Sequence, residues 1–397
     1  MDSAPPVIKR HWPIATIAVL FGLYGWALVA ATGLGHGDKI GPRFNALGAD
    51  WVIFLAAARA FFTGDLGHIY NQGWIASATN GQFSHWLSSP LPFPLFPYPP
   101  VFLLLVLPFA LLPVGWSLFL SQLAQFVFLA FSLRRLGAPH LFILLGALLA
   151  PAAASNVLAG SNALLVAALI ISGIAFLDTR PWLAGALLGV VIFKPQFFVL
   201  LPVALIAARQ GRALAGMILC ALALTLLSAA LFGPAMWLDW MNVYLHPQTV
   251  AGVNGTDWGH RWDDSVSTCA SLLGASHGMA LLAQAVAGLI ALAVVWRAFR
   301  TRHPQRLAIL LCAVLLASPH VSNYDLIFVA IAALSLVQAL PTGTRPLALM
   351  LPLAAWVAPL YNPPRAMTLG LITPLVLLGL ILAFLREKSP LPPPPST

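Results

Sequence analysis

The chain has 397 residues, 60% hydrophobic and only 8% charged, with a formal net charge of +9. Soluble domains carry about 25% charged residues, so a soluble core cannot absorb this much apolar surface, and the long continuous apolar runs exclude a β-barrel, whose strands alternate. The positive balance does not mark a nucleic-acid partner, because Lys and Arg are scattered between apolar runs, and the dispersed Cys220, Cys269 and Cys312 form neither a disulfide framework nor a metal motif.

The expected class is therefore all-α: a polytopic membrane protein in the lipid bilayer, a single transmembrane domain over 1–388 with a disordered Pro-rich tail over 389–397. The apolar segments predict about twelve spans, near 13–32, 99–113, 115–134, 139–154, 162–178, 181–208, 212–233, 276–299, 306–318, 323–340, 346–360 and 366–385. Lys9 and Arg10 precede the first of them and predict a cytoplasmic N-terminus. The positive-inside rule then places Arg209, Arg212, Arg297, Arg300, Arg302, Arg306, Arg345, Arg386 and Lys388 inside. Asp178 falls outside, and Arg134, Arg135, Arg180 and Arg365 are exceptions to the rule.

Two large loops, about 33–98 and 234–275, are expected on the outer face. The first contains "GADWVIFLAAARAFFTGDLGHIY", Gly48 to Tyr70. Trp51, Phe54, Leu55, Ala58, Phe61 and Phe62 fall at helical spacing, and Thr63, Gly64 and Asp65 stop the pattern. The stretch is too short to span and predicts a helix lying in the interface. Asp50 opens it. A carboxylate there either caps free backbone N–H groups or waits at the membrane surface for a lipid-borne substrate. Pro97, Pro99 and Pro100 predict an extended approach to the second span, with Phe96 and Tyr98 in an aromatic belt.

Further along, "AGSNALL" places Asn162 at a small polar break, where it suits an N-cap. "IFKPQFFVLLP" sets Lys194 and Gln196 around Pro195 in an apolar run. Lys194 is either a cation for an anionic ligand such as a lipid phosphate or a snorkelling side chain at a helix end. The second loop carries "NGTDWGHRWDDS", with Asn254, Asp257, His260, Arg261, Asp263 and Asp264 between Trp258 and Trp262. Aromatic faces among carboxylates and amides suit a sugar, and the same loop also reads as ordinary solvated surface. "LLASPHVSNYDLIFVA" puts Ser318, His320, Asn323, Tyr324 and Asp325 between two apolar runs at the outer face. No phosphate-binding Gly loop, zinc motif or nucleophile elbow is present, so an enzyme of this kind takes its substrates from the membrane.

These segments, in this order, resemble the GT-C class of membrane glycosyltransferases, and within it glycosyltransferase family 87, which includes polyprenol-phosphate-mannose-dependent α-mannosyltransferases. The resemblance is carried by "ADWVIFLAAARAFFTGDLGHIY", "FPYPPVFLLLVLPFALLP", "AGSNALLVAALI", "AGALLGVVIFKPQFFVLLP" and "SPHVSNYDLIFVA". It implies a GT-C fold, a polyprenyl-phosphate-sugar donor, no nucleotide and an active site at the outer face of a bacterial inner membrane. It implies a first-loop aspartate as catalytic base, which falls on Asp50, and places His320 in the "SPH" motif and Lys194 and Gln196 in "KPQ". Where the family often reads "GQN", this chain has "GSN" at Asn162.

The expected activity is transfer of a hexose, mannose foremost, to a hydroxyl of a glycolipid or polysaccharide acceptor by inverting displacement. Donor and phosphate binding is expected from Lys194, Gln196, His320, Arg261, Asn162, Tyr98 and Asp325. No cofactor is expected, and no metal, since Asp50 has no adjacent acid. A lipid or sugar transporter, a non-catalytic assembly subunit and a GT-C transferase with another donor sugar are the competing readings.

Overall fold

The computed structural model describes residues 8, 12–34, 47–92, 94–135, 141–245, 263–340, 345–360, 376 and 379. Regular structure among the described residues is helical throughout. The helices are α1 (Trp12–Leu34), α2 (Ala49–Thr63), α3 (Gln72–Gln82), α4 (Val101–Ala110), α5 (Val114–Arg134), α6 (Leu141–Leu149), α7 (Pro151–Ala159), α8 (Ala163–Phe176) and α9 (Pro181–Val190). After a single turn at Pro195–Phe198 come α10 (Leu200–Ala207), α11 (Gly211–Phe232), α12 (Ala235–Leu245), α13 (Val266–Leu272), α14 (His277–Arg300), α15 (Arg306–Ala317), α16 (Ile327–Ala339) and α17 (Met350–Val357).

By length and composition, α1, α5, α11 and α14 can cross a membrane, and α6 with α7 makes a fifth if the pair, bent by 47°, is one span. The other apolar runs give helices of 10–17 residues, so the described residues do not yield about twelve full-length spans. Proline is the reason in several places. Pro108 lies inside α4, Pro151 starts a new helix at the α6–α7 bend, and Pro195 follows a break at Lys194. The division has a packing logic. The apolar windows of the four long helices are only 11–33% buried, leaving most of their surface for lipid. In contrast α8 buries eleven of its 14 residues. At 1.5 Å per residue α8 spans about 21 Å, short of the ~30 Å hydrocarbon core, and its apolar surface is covered by protein.

The end of α8 gathers charges that hydropathy alone sorts wrongly. Asp178 accepts from Gln210 Nε2 at 3.1 Å and from Arg306 at 3.5 Å. Arg135 and Arg180 lie over the Phe176 ring at 5.8 and 5.9 Å. Asp178 and Arg180 therefore lie at the same end of the helices as Gln210, Arg306 and Arg135, whereas the expected spans put Asp178 and Arg306 on opposite faces. The cause is the break at Lys194. Residues 181–207 leave this face through α9, turn at Val191–Lys194 and come back through α10, because Asp178 and Gln210 are in contact at the two ends. Lys194 is the tip of this re-entrant hairpin.

The first-loop helix α2 forms where periodicity predicts it, and protein covers most of its apolar surface. Trp51 to Ala58 and Ala60 are all buried, and exposed apolar surface is confined to Phe61 and Phe62 at its far end. Its one cationic residue, Arg59, donates to the carbonyls of Ala110 and Leu112 at 2.9 and 3.1 Å, satisfying groups that the end of α4 leaves free. The start of α2 packs against the α7–α8 turn through glycine. A Cβ on Gly160 (φ +70°) would sit 2.6 Å from Trp51 Cβ and 2.9 Å from Gly48 Cα. Only glycine permits this approach, and it brings Asp50 beside Ser161 and Asn162.

Candidate active site

Asp50 is the second residue of α2. The residue before the helix is Gly48, in the left-handed region and with no side-chain capping bond, so Asp50 is not the N-cap. Its half-buried carboxylate lies instead beside the Tyr324 phenol, in the 3₁₀ turn Asn323–Leu326. Burial pushes its pKa up to about 6, and the Tyr324 hydrogen bond and the Lys194 charge partly offset that rise. An acid of that strength changes charge close to neutral pH, which suits proton transfer.

Lys194 does not snorkel to a surface; it is a buried cation with a protein partner. It is 3% exposed and its Nζ lies 2.6 Å from Asp325 Oδ1. The second Asp325 oxygen accepts from Ser322 N–H at 3.0 Å, and the ammonium sits 4.7 Å from the Phe197 ring centroid. Both charges are thus compensated by protein. Gln196 follows in the turn after Pro195, half-buried and with no hydrogen bond to a described residue.

His320 is the exposed member of the cluster, with its side chain 58% accessible and Nδ1 3.6 Å from Asp263 Oδ1. Asp263 also accepts from Ser265 N–H, Ser265 Oγ, Thr268 Oγ1 and Val321 N–H, at 2.8–3.1 Å. Asp264 N–H donates to Val321 O at 2.6 Å. The end of the second loop is thereby fastened to the His320 segment. Burial would lower the imidazole pKa, but with the ring this exposed the Asp263 carboxylate decides, and the pKa is raised. Burial works against the Asp263 anion too, and is outweighed by His320, Val321 and Thr268, so its pKa is lowered. Asp264, half-buried beside Asp263, is pushed up to about 7 by burial first and then by that neighbouring charge.

A pH profile tests this arrangement. Activity needing ionised Asp50 and cationic His320 falls in acid as pH drops through about 6, and in alkali as pH rises through the raised His320 value. Asp263→Asn removes the charge that raises His320. The alkaline limb is expected to move to lower pH while the acid limb stays, measured as kcat/KM against pH; an unmoved alkaline limb rejects the coupling.

Tyr98 is buried, not part of an interfacial belt. It stacks on Phe102 at 4.2 Å, and its carbonyl accepts from Tyr70 Oη at 2.8 Å. Residues 94–97, which lead into it, have no regular structure. Asn162 is also buried and is not a working cap. The first N–H groups of α8 are taken by other side chains: Ala163 N–H by Asn156 Oδ1 at 2.8 Å and Leu165 N–H by Gln125 Oε1 at 3.3 Å.

The structure thus brings Asp50, Tyr98, Asn162, Lys194, His320 and Asp325 to one end of the fold. It adds Tyr324, Ser161, Asp263 and Asp264, which were legible as polar positions in the motifs but not as partners of Asp50. Arg261, with Asn254, Asp257, Trp258, His260 and Trp262, lies outside the described residues. A groove of about 760 Å³ between Arg59, Trp86, Trp116 and Phe119 contains none of the site's carboxylates and is a separate feature.

The family model of glycosyltransferase family 87 matches residues 96–319, more than half of the chain. The chain belongs to glycosyltransferase family 87. The matched range of this glycosyltransferase covers Tyr98, Asn162, Lys194, Gln196 and Asp263; Asp50 precedes it and His320 is the next residue after it. No curated protein matches the family 87 chain, and no solved structure does.

Proposed function

We propose that this glycosyltransferase moves a hexose, mannose foremost, from a polyprenyl-phosphate-sugar donor to a hydroxyl of a glycolipid or polysaccharide acceptor. One observation carries the reading. A half-buried carboxylate tuned close to neutrality stands in the same cluster as an exposed histidine whose charge is favoured by a fixed aspartate. That pairs a base with a site for a leaving anion.

In the reaction, Asp50 takes the acceptor hydroxyl proton as its oxygen attacks the anomeric carbon. The new C–O bond forms as the bond to the phosphate oxygen breaks, with its electron pair leaving on the phosphate. A single displacement inverts the anomeric centre. His320 is the best-placed donor to the leaving phosphate because it is accessible, whereas Lys194 reaches the phosphate only through its field, being paired with Asp325. Arg261 and Gln196 remain candidates for the same anion.

The membrane placement follows from charge. Arg135, Arg180 and Arg306 gather at one end of α8 and the proposed site at the other, about 21 Å apart along a 14-residue helix. The positive-inside rule supports reading the arginine face as cytoplasmic and the site as lying on the outer face; the periplasmic side of a bacterial inner membrane and one GT-C-type domain over 1–388 are what the family resemblance implies.

The test offers purified protein polyprenyl-phosphate mannose, glucose and arabinose in turn, with a membrane extract as acceptor source. A hexose mass increment on one lipid or polysaccharide, with release of polyprenyl phosphate, is expected. Movement of an intact lipid across a liposome without a new glycosidic bond would instead make the protein a transporter.

A further inference from the structure

We propose that Ser161 and Asn162 form a subsite for the hydroxyls of the transferred sugar, and that their polar atoms find partners only when that sugar is bound. The inference rests on the transferase reading above.

Most buried polar groups in proteins are hydrogen-bonded. Asn162 is 3% exposed and Ser161 1%, yet Asn162 Nδ2, Asn162 Oδ1 and Ser161 Oγ have no partner. The surroundings show that this is not a loosely held turn. The Ser161 carbonyl accepts from three buried amides: Gln125 at 3.0 Å, Gln122 at 3.1 Å and Asn156 at 3.2 Å. Asn156 also donates to Gln122 Oε1 at 2.8 Å. Together with the bonds to Ala163 and Leu165 N–H, these three side chains carry the whole task of holding the start of α8. The side chains of Asn162 and Ser161 take no part in these bonds.

Their position fits the transferred sugar. Gly160 packs on Gly48 and Trp51, beside Asp50. The Tyr324 phenol beside Asp50 also lies near Ser161, and the Tyr98 phenol lies near both orphaned side chains, but neither contact has hydrogen-bond geometry at Ser161 Oγ or at the Asn162 amide. The chemistry selects the ligand class. An unpaired amide offers a donor and an acceptor together, and so does a hydroxyl. A phosphodiester carries no proton and would leave Asn162 Oδ1 unsatisfied, so a sugar fits and the phosphate does not.

The test compares wild type with Asn162→Leu, and with Ser161→Ala, using farnesyl phosphate and farnesyl phosphate mannose or glucose as probes. Wild type is expected to bind the sugar-bearing probe more tightly than farnesyl phosphate. Asn162→Leu should bind farnesyl phosphate as wild type does and lose a sugar increment of roughly 10–100-fold, and Ser161→Ala should lose part of it. Empty Asn162→Leu protein should melt no lower than wild type, because no native hydrogen bond is removed. Either a full sugar increment in both variants or a melting temperature lowered by several degrees in Asn162→Leu overturns the subsite. Absence of any sugar preference in wild type would instead reject the donor reading, and the subsite with it.

Discussion

Asp50→Asn is expected to abolish transfer while leaving the protein folded. An acceptor hydroxyl is a poor nucleophile at neutral pH, and a positioned base contributes roughly 10²–10⁴-fold. The amide has nearly the same shape and can still accept from Tyr324, so loss of turnover would report the missing base and not a collapsed site. Stability should not fall. The folded pKa of about 6 lies above the ordinary 3.8, so the anion is disfavoured by folding. Asp50 therefore costs stability above about pH 6, and that cost fades as pH drops toward 3.8. Removing the charge should leave the melting temperature at pH 7.5 equal to or above that of wild type. Binding of the donor should be retained, since the base acts on the acceptor. A variant that is folded, binds donor and turns over close to wild type would show that Asp50 is a structural acid.

The second large effect concerns Lys194 and Asp325. Both side chains are almost wholly buried, at 4% and 1% exposure, and 2.6 Å apart. Removing one partner of such a pair strands a charge in an apolar interior and costs about 3–5 kcal/mol, whereas replacing both with apolar side chains is often neutral. Lys194→Met and Asp325→Asn alone should each lower the melting temperature sharply in detergent. The double variant Lys194→Met with Asp325→Leu should recover most of that loss. It also separates structure from chemistry. If the pair only locks the tip of the 181–207 hairpin to the Asn323–Leu326 turn, the recovered double variant binds a prenyl phosphate as wild type does. A well-folded double variant with much weaker phosphate binding would return Lys194 to the leaving group.

These two cases show how far the residues themselves reach. The α2 helix appears where apolar spacing and the Thr63–Gly64–Asp65 stop predict it, and the break at Lys194–Pro195 is plain in the chain. Those signals act over a few residues, through φ restriction, capping and periodicity, and so they survive without tertiary context. The pairing of Lys194 with Asp325 spans 131 residues, and no local rule could find it. A lone lysine in an apolar run looks like an unmet charge until its partner is known.

The sequence by itself determined the all-helical membrane class, the family pattern, the placement of Asp50 at a helix start and the polar character of each site segment. Only the tertiary structure decided what those groups do to one another. It decided that α2 is covered by protein along most of its length, that Asp178 shares a face with Arg306, that His320 is held by Asp263, and that Asn162 is free of capping duty. The physical reason is the same in each case. Hydropathy measures how much apolar surface a segment carries, but not whether lipid or protein covers it. A polar side chain declares what bonds it can make, but only packing decides which partners come within reach and which atoms are left for a substrate.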